Sequence, residues 1–251
     1  MLTDQRKQYI LEVLKKEGQV VAKKIAQELD LSEDTIRRDL RELAQEGHLQ
    51  RVHGGALPAS PAVADFPQRQ QIAVEGKAAI GRAAAQMIQP GQVVILDGGT
   101  TAVQIARQLP PDLEATIVTH SPSVAVELAQ HKTVEVVLIG GKLFKHSVVA
   151  VGAAAIEALS HIHADTYFMG VTGIHPQVGL TTGDLEEAYV KRALHQRASE
   201  TVVLASAEKL GGASAYVISP IAQVSGMIVE KKTEESLVQP YREMGVAIFR
   251  A

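Results

Sequence analysis

The feature of this sequence that most restricts its fold is a series of short apolar runs in the last two thirds of the chain. The six runs are VVILD from Val93, ATIVT from Ala115, VEVVLIG from Val134, TYFMGV from Thr166, TVVLA from Thr201 and GMIVE from Gly226. Helix-like segments separate most of them, at residues 76–88, 102–109, 122–130 and 184–199. Apolar strands that alternate with helices are typical of a parallel sheet covered on both faces. The pattern predicts an α/β fold with a doubly wound, mainly parallel sheet.

Residues 1–57 carry a helical periodicity instead. An apolar stripe predicts a first helix that ends before Gly18, and a second helix fits residues 21–30. Ser32 is a natural N-cap for a third helix, and the alternation in HLQRVHGGAL predicts a short hairpin behind it. Three helices followed by a hairpin predict a winged helix-turn-helix, which places its third helix in the major groove of DNA.

Candidate DNA contacts lie on the third helix and on the hairpin wing. Arginine side chains there can bind guanine edges or phosphates, and glycine lets the wing backbone approach closely. The candidates are Ser32, Thr35, Arg37, Arg38, Arg41, Arg51, His53 and Gly54. The net charge is −3 and residues 1–57 hold ten basic and ten acidic side chains, so the prediction depends on where the charges lie. A protein-interaction module is the alternative for this segment.

The stretch LDGGTTAVQIA predicts an anion site after the first strand of the sheet. Glycine N–H groups, threonine hydroxyls and a helix N-terminus together form a phosphate cradle. Other strands of the predicted sheet end near His120, Gly141 and Lys209. Ligands of open α/β sheets bind at the carboxyl ends of the strands, so these residues are expected to meet there. A sharp turn without a ligand is the alternative interpretation of the two glycines.

Two motifs extend these predictions to a family. LSEDTIRRDLRELAQEGHLQRVHGGA resembles the DNA-binding segment of the DeoR family of bacterial transcriptional regulators, where an S-x-x-T-I-R-R-D-L helix leads to an R-V-H-G-G-A wing. ILDGGTT, VVLIGGKLFKHSVVAVG and GLTTGDLEEAYVKRAL follow in the order seen in the effector domain of that family. The resemblance implies an effector domain similar in fold to ribose-5-phosphate isomerase, with a phosphorylated sugar as its ligand.

The resemblance also implies which residues bind the effector. Gly99, Thr100 and Thr101 are expected to bind the phosphate, Asp97, Asp165 and Glu187 the sugar hydroxyls, and Lys142 and Lys209 serve as cationic partners. A cap or a surface pair is the alternative for Asp165 and Glu187. Gly98, His120 and Gly141 join these candidates because they follow predicted strands. Arg69 and Lys77 match family positions too, and are expected to organise the linker and the first helix of the domain. The chain departs from the family at His120, where asparagine is usual, and at residues 206–209, which read SAEK instead of D-S-S-K. Both departures alter the expected contacts to the sugar.

The predicted organisation is a DNA-binding domain over residues 1–57, a Pro/Ala-rich linker over 58–72 and an effector domain over 73–251. The chain has no cysteine, no signal-peptide h-region and no long apolar stretch, so a cytoplasmic protein without a membrane span is expected. No cofactor is expected, and no metal site either, because His161 and His163 lack further ligands nearby in the sequence.

These observations predict a repressor of a carbohydrate-metabolism operon. A phosphorylated sugar bound in the C-terminal domain is expected to control whether the repressor binds its DNA. One winged helix covers a short DNA site, so a homodimer or homotetramer on double-stranded operator DNA is expected. The alternative is a sugar-phosphate isomerase or deaminase with an appended DNA-binding domain, in which Asp165 or Glu187 supplies a base. The regulator is preferred, because residue 206 lacks the carboxylate usual in the family.

Overall fold

The computed structural model describes residues 2–251 and begins with a winged helix-turn-helix. Its elements are α1 (Thr3–Glu17), β1 (Val20–Val21), α2 (Ala22–Glu28), α3 (Glu33–Gln45), β2 (Leu49–Val52) and β3 (Gly55–Pro58). The three strands form a small antiparallel sheet in the order β1-β3-β2. One hydrophobic cluster, drawn from all three helices and the hairpin, fills the module. The predicted helices and wing are therefore confirmed.

Local chemistry explains where these helices begin and end, and how α3 is held. Gly18 adopts a left-handed conformation (φ 71°) that ends α1. Ser32 caps α3 by accepting a hydrogen bond from the Thr35 amide at 3.2 Å. A buried ion pair joins Arg6 on α1 to Asp39 on α3, with two hydrogen bonds between the guanidinium and the carboxylate. The pair ties the third helix to the first and so sets the direction of its exposed face.

Residues 58–72 differ from the linker predicted for them, because they pack against the second domain. They form a 3-10 helix (Pro61–Val63) and α4 (Phe66–Gln70). The Phe66 side chain is buried in a core cluster of the α/β domain, and its amide donates to the His146 carbonyl oxygen at 2.9 Å. Ala59 forms an isolated bridge with Ala213. Composition alone indicated a linker, but alternating small and apolar residues here give the chain a surface to bury.

The α/β domain is built on a seven-stranded sheet whose neighbouring strands are all parallel. The strands of this sheet are β4 (Val93–Leu96), β5 (Thr116–Thr119), β6 (Glu135–Leu138), β9 (Ala164–Gly170), β12 (Ala198–Ala205), β14 (Gly226–Val229) and β15 (Ala247–Arg250). The smaller strands are β7 (Lys142–Phe144), β8 (Val149–Val151), β10 (Gly173–His175), β11 (Gly179–Thr182) and β13 (Tyr216–Ser219). The helices are α5 (Val74–Met87), α6 (Thr100–Arg107), α7 (Pro122–Leu128), α8 (Ala153–Leu159), α9 (Leu185–Gln196) and α10 (Glu235–Glu243).

The sheet order β15-β14-β12-β9-β4-β5-β6 confirms the predicted doubly wound fold. One core cluster joins the sheet to α4, α5, α6 and α7, and a second joins its other face to α8, α9 and α10. The chain adds strands to one side of β4 and later to the far side of β9, so the order reverses between these two strands. Such a switch point opens a crevice at the carboxyl ends of its strands. No helix within residues 2–251 combines the length and the apolar character that crossing a bilayer requires.

Candidate functional site

The exposed face of α3 carries a cluster of arginines. Arg37, Arg38 and Arg41 on the helix surround a shallow concavity together with Arg51 from the wing strand β2. Arg37 is paired with Glu33 one turn earlier (2.8 Å), in an exposed and therefore weak ion pair. The other three arginines form no ion pair within residues 2–251. Four guanidinium groups on one face, three of them unpaired, suit phosphate and base contacts on DNA.

The remaining DNA-contact candidates lie around this arginine cluster. Thr35 lines the same concavity, and Ser32 is occupied in capping α3. His53 and Gly54 form the exposed tip of the wing between β2 and β3. Gly55 approaches the Val20 carbonyl oxygen so closely that a Cβ atom has no room. That close approach lets β1 pair with β3 of the wing.

A pocket lies at the switch point, where β4 and β9 end. Gly98 and Gly99 follow β4, and Gly99 has a positive φ (113°) as the residue that precedes α6. Thr100 and Thr101 open α6 and line the pocket, so the free N–H groups of the first helical turn border it. Residues 170–172 form the opposite wall after β9. The predicted cradle is therefore part of a real concavity.

Three cationic side chains reach this pocket from other segments. Arg69 comes from α4, Lys77 from α5 and Lys209 from a 3-10 helix (Ala207–Lys209) after β12. Lys77 is 4% exposed and donates to the Arg69 carbonyl oxygen (2.7 Å), while Lys209 is 5% exposed and donates to the Leu204 carbonyl oxygen (3.1 Å). Each ammonium keeps donors that these single bonds do not use.

The same three side chains have no carboxylate within ion-pair distance in the described chain. The Nε and Nη2 atoms of Arg69 are buried and lack a hydrogen-bond partner within residues 2–251. Burial lowers the pKa of Lys209 to about 8, and burial also lowers the pKa of Lys77 and that of Arg69. Cations that are largely removed from water and have no ion-pair partner are costly, so these side chains favour an anionic ligand.

Beneath the pocket, Asp97 lies in a closed network of hydrogen bonds. The carboxylate accepts from the Lys191 ammonium (2.6 Å), the Tyr167 hydroxyl (2.7 Å) and the His120 ring (2.9 Å). It also accepts from the amides of Gly98 and Gly170, at 2.7 Å each. Burial alone would raise the pKa of Asp97, but the Lys191 charge and the His120 hydrogen bond hold it below its usual value. Asp97 therefore supports the pocket floor instead of facing a ligand.

The network continues through His120 and Lys191. The Nδ1 atom of His120 faces the Ala150 carbonyl oxygen at 2.9 Å, while Nε2 faces Asp97 at 2.9 Å, so the ring bridges the carboxylate to β8. Lys191 also lies 3.4 Å from Glu187, whose other oxygen accepts from Ser147 and Thr182 hydroxyls. Burial opposes the charge on Lys191, but Asp97 and Glu187 together raise its pKa.

Three of the effector-site candidates lie away from the pocket. Asp165 precedes the buried part of β9 and accepts a hydrogen bond from the Val93 amide (2.8 Å). It is therefore at the amino ends of the strands, across the sheet from the pocket, and its prediction as a sugar ligand was wrong. Gly141 and Lys142 also lie outside the pocket lining: Gly141 packs against β8, and Lys142 is exposed on β7.

Of the other candidates, Gly98, Gly99, Thr100, Thr101, Glu187 and Lys209 line the pocket, while Asp97 and His120 lie below it. The candidate list omitted Lys191 and Glu208, and gave Arg69 and Lys77 only organising roles. A signal for Lys191 existed, because Glu187 and Lys191 are four residues apart on one face of α9. His161, considered for a metal, is exposed in the turn before β9, and no group of three or more His, Cys, Asp or Glu residues within 2–251 could hold a metal ion.

Comparison with known proteins identifies the family. The family model described as the DeoR C terminal sensor domain matches residues 72–231. The model of the DeoR-like helix-turn-helix domain matches residues 6–61. The chain belongs to the DeoR family of transcriptional regulators. The arginine cluster lies in the helix-turn-helix of this DeoR-family protein, and the cationic pocket lies mainly in its sensor domain.

Several curated proteins resemble this DeoR-family chain over nearly its whole length. It is 32% identical to the HTH-type transcriptional regulator GlpR of Haloferax volcanii, over 99% of the chain and 98% of that protein. It is also 32% identical to the HTH-type transcriptional repressor GlcR of Bacillus subtilis, over 99% of the chain and 96% of that protein. The glycerol-3-phosphate regulon repressor of Escherichia coli is 29% identical, with 95% of each chain covered.

Solved structures similar to this DeoR-family chain are more distant. Ribose 5-phosphate isomerase A from Methanocaldococcus jannaschii aligns with a TM-score of 0.40 at 19% identity, over 53% of this chain and 52% of that one. The sorbitol operon regulator SorC from Klebsiella pneumoniae aligns with a TM-score of 0.40 at 13% identity, over 82% of this chain and 90% of that one.

Anion binding by this DeoR-family pocket is expected to weaken several-fold as the pH rises from 7 to 9. Lys209, with a pKa of about 8, loses its charge in this interval, while a sugar phosphate stays fully ionised above its second pKa of about 6. Lys77, Arg69 and Lys191 repel the Lys209 charge, and Glu208 stabilises it. Calorimetric titration with glucose 6-phosphate at four pH values measures the effect.

The control for this pH prediction is Lys209→Gln, which should bind more weakly and with a flatter pH profile. The stability of the ligand-free protein should depend on pH in the opposite direction to ligand affinity, because unfolding restores the ordinary lysine pKa of 10.5. Between about pH 8 and 10.5 the unfolded chain binds more protons, so the contribution of Lys209 to stability rises with pH. An affinity that stays constant from pH 7 to 9 would contradict a contact between Lys209 and the anion.

Proposed function

We propose that this protein is a ligand-controlled repressor of a carbohydrate-metabolism operon. In this proposal the arginine cluster binds double-stranded operator DNA in the cytoplasm, and the pocket at the switch point binds a phosphorylated sugar. The observation that carries it is the set of three cations, Arg69, Lys77 and Lys209, that lie in the pocket without a carboxylate at ion-pair distance, beside the free amides that begin α6. The relatives of this chain, which include a glycerol-3-phosphate regulon repressor, support the same proposal.

The structure offers a route from the pocket to the wing. Lys209 in the pocket is followed by residues 210–213, which contact the start of the segment after β3. The Ala213 amide points at the Pro58 carbonyl oxygen (3.5 Å), and Ala59 bridges Ala213. A second cavity shares Arg69 with the pocket and extends to Gln50 on the wing strand β2. A ligand that draws Arg69 and Lys209 together therefore acts on the segment after β3 and on the cavity beside β2. It shifts the population between wing arrangements that bind DNA and arrangements that do not.

We further propose that the protein works as a homodimer or homotetramer. A single winged helix reads only a few base pairs, and two-fold assemblies double the contacts on a repeated half-site. Winged helices of two subunits then bind one operator, and a change at each wing alters the spacing of the pair. Because both winged helices must fit the same operator, a small movement at the pocket has a large effect on operator affinity.

Binding to the DNA upstream of its own gene, followed by fluorescence anisotropy, tests the proposed function. We expect tight binding that one phosphorylated sugar of a panel releases, while the unphosphorylated sugar has no effect. Random DNA of the same length is the matched control. Binding to the specific DNA that is no tighter than to the random DNA would refute the proposal, as would binding that no phosphorylated sugar changes.

An enzymatic function is less well supported by the site. An isomerase needs a free base beside its substrate. Asp97 is fully buried with five hydrogen-bond donors around it, and Glu187 is held by Lys191 and two hydroxyls. Both carboxylates are thus engaged in holding the pocket together. We therefore propose that the pocket senses a ligand and that neither of these two carboxylates serves as a catalytic base.

A further inference from the structure

Glu208 and Glu187 are the acidic residues in the wall of the pocket, and Glu208 has no ion-pair partner within residues 2–251. It lies in the 3-10 helix after β12, and the Ser206 hydroxyl donates to its Oε1 atom at 2.7 Å. The Ala207 amide donates to Glu230, which fixes the turn before it. The Oε2 atom of Glu208 is buried and has no hydrogen-bond partner within the described residues 2–251. A buried carboxylate oxygen left in this way costs free energy unless a donor reaches it.

The surrounding side chains do not supply that donor. Lys77 and Lys209 share the pocket with Glu208, but neither ammonium lies within ion-pair distance of it in the chain from residue 2 to 251. Each ammonium is directed at a backbone carbonyl oxygen instead. The Nε and Nη2 atoms of Arg69 also lack partners, in the same pocket. The pocket thus presents unused donors and one unused acceptor to the same ligand.

A simple anion satisfies only half of this arrangement. Phosphate oxygens accept hydrogen bonds from Arg69 and from the amides at the start of α6, but above pH 7 a phosphate offers no donor to Glu208. A ligand that carries a hydroxyl or ammonium group beside its phosphate satisfies both halves. A carboxylate in the same place would stand against Glu208 with like charge and unmet hydrogen bonds.

We propose that Glu208 is a specificity-determining residue that accepts a hydrogen bond from a hydroxyl or ammonium group of the phosphorylated ligand and excludes ligands with an acid group at that position. This inference rests on the proposed function, since it concerns the same pocket. It assigns the effector to sugar phosphates, polyol phosphates or amino-sugar phosphates, and not to the phosphorylated sugar acids. Ser206 orients the carboxylate by holding its other oxygen.

Calorimetry on the full chain with matched ligand pairs tests the assignment. Each pair joins a polyol phosphate of three to six carbons to the aldonic acid phosphate of the same length, so that one terminal hydroxyl is exchanged for a carboxylate. Glucosamine 6-phosphate and glucose 6-phosphate compare ammonium with hydroxyl. We expect the wild-type protein to prefer at least one polyol phosphate to its acid counterpart by roughly tenfold or more.

The Glu208→Gln variant should lose most of that preference, mainly because the acid phosphates bind more tightly to it. Glu200→Gln is the matched control, since it removes the same charge from an exposed side chain at the far end of β12. A wild-type protein that binds no polyol phosphate more tightly than its acid counterpart would overturn the assignment, as would a preference that Glu208→Gln leaves intact. If inorganic phosphate and every phosphorylated ligand fail to bind at all, the proposed function itself fails.

Discussion

Replacing Asp97 by asparagine is expected to lower the free energy of unfolding of the α/β domain by about 3–5 kcal/mol, the cost of breaking a buried ion pair from one side. Lys191 is 2% exposed, and the substitution leaves its ammonium without its shortest partner. His120 loses its charged acceptor at the same time. Urea unfolding followed by far-ultraviolet circular dichroism measures the change, which should appear as an earlier transition midpoint.

Asp165→Asn is the matched control for this prediction. It makes the same chemical change at an exposed carboxylate that also accepts a backbone amide, so its effect should stay within roughly 0.5 kcal/mol. Adding Lys191→Met to Asp97→Asn should recover part of the lost stability, because no unpaired ammonium then remains. An Asp97→Asn protein as stable as Asp165→Asn would show that the network does not hold the domain together.

The fold was predictable where strands are buried on both faces. Six strands of the main sheet follow from apolar runs. Five of them are inner strands, which lie between two helical layers and are largely buried on both faces, while β6 is an edge strand with exposed residues. The seventh, β15, is an edge strand with exposed residues, and AIFR carries too little signal to be separated from a loop. The short strands β10, β11 and β13 depend on pairing among segments distant in the chain. The domain boundaries at 57 and 72 stay a prediction.

The site was predictable only where one local segment builds it. GGTT lines the pocket because strand, turn and helix are consecutive, and its position at a carboxyl end follows from the parallel sheet. The same rule places Asp165 outside the site, because it lies at the amino end of β9. Arg69, Lys77 and Glu208 come together from three separate elements, so their juxtaposition needs the tertiary structure. Lys191 was missed because charged side chains are ordinarily placed on the solvated face of a helix.

Replacing Arg38 by alanine is expected to weaken binding to the upstream DNA by about 1–3 kcal/mol, or roughly five- to 150-fold. Arg38 lies on the exposed face of α3 without an ion-pair partner in residues 2–251, so its guanidinium is free for a bidentate contact to guanine. Arg37 must first leave Glu33, and Arg37→Ala should therefore cost somewhat less. Fluorescence anisotropy on specific and random DNA measures both variants.

The same measurement separates base contacts from phosphate contacts. Arg51 lies on the wing, and its replacement by alanine should weaken both DNAs alike and reduce the salt slope of binding by about one. Arg38→Ala should instead bring specific binding closer to the random-DNA level. Arg82→Ala, an exposed arginine on α5 of the sensor domain, is the matched control and should change neither affinity. If Arg38→Ala and Arg51→Ala each lower the affinity for specific and random DNA equally, Arg38 contacts only the DNA backbone. Other residues of the module then read the operator sequence.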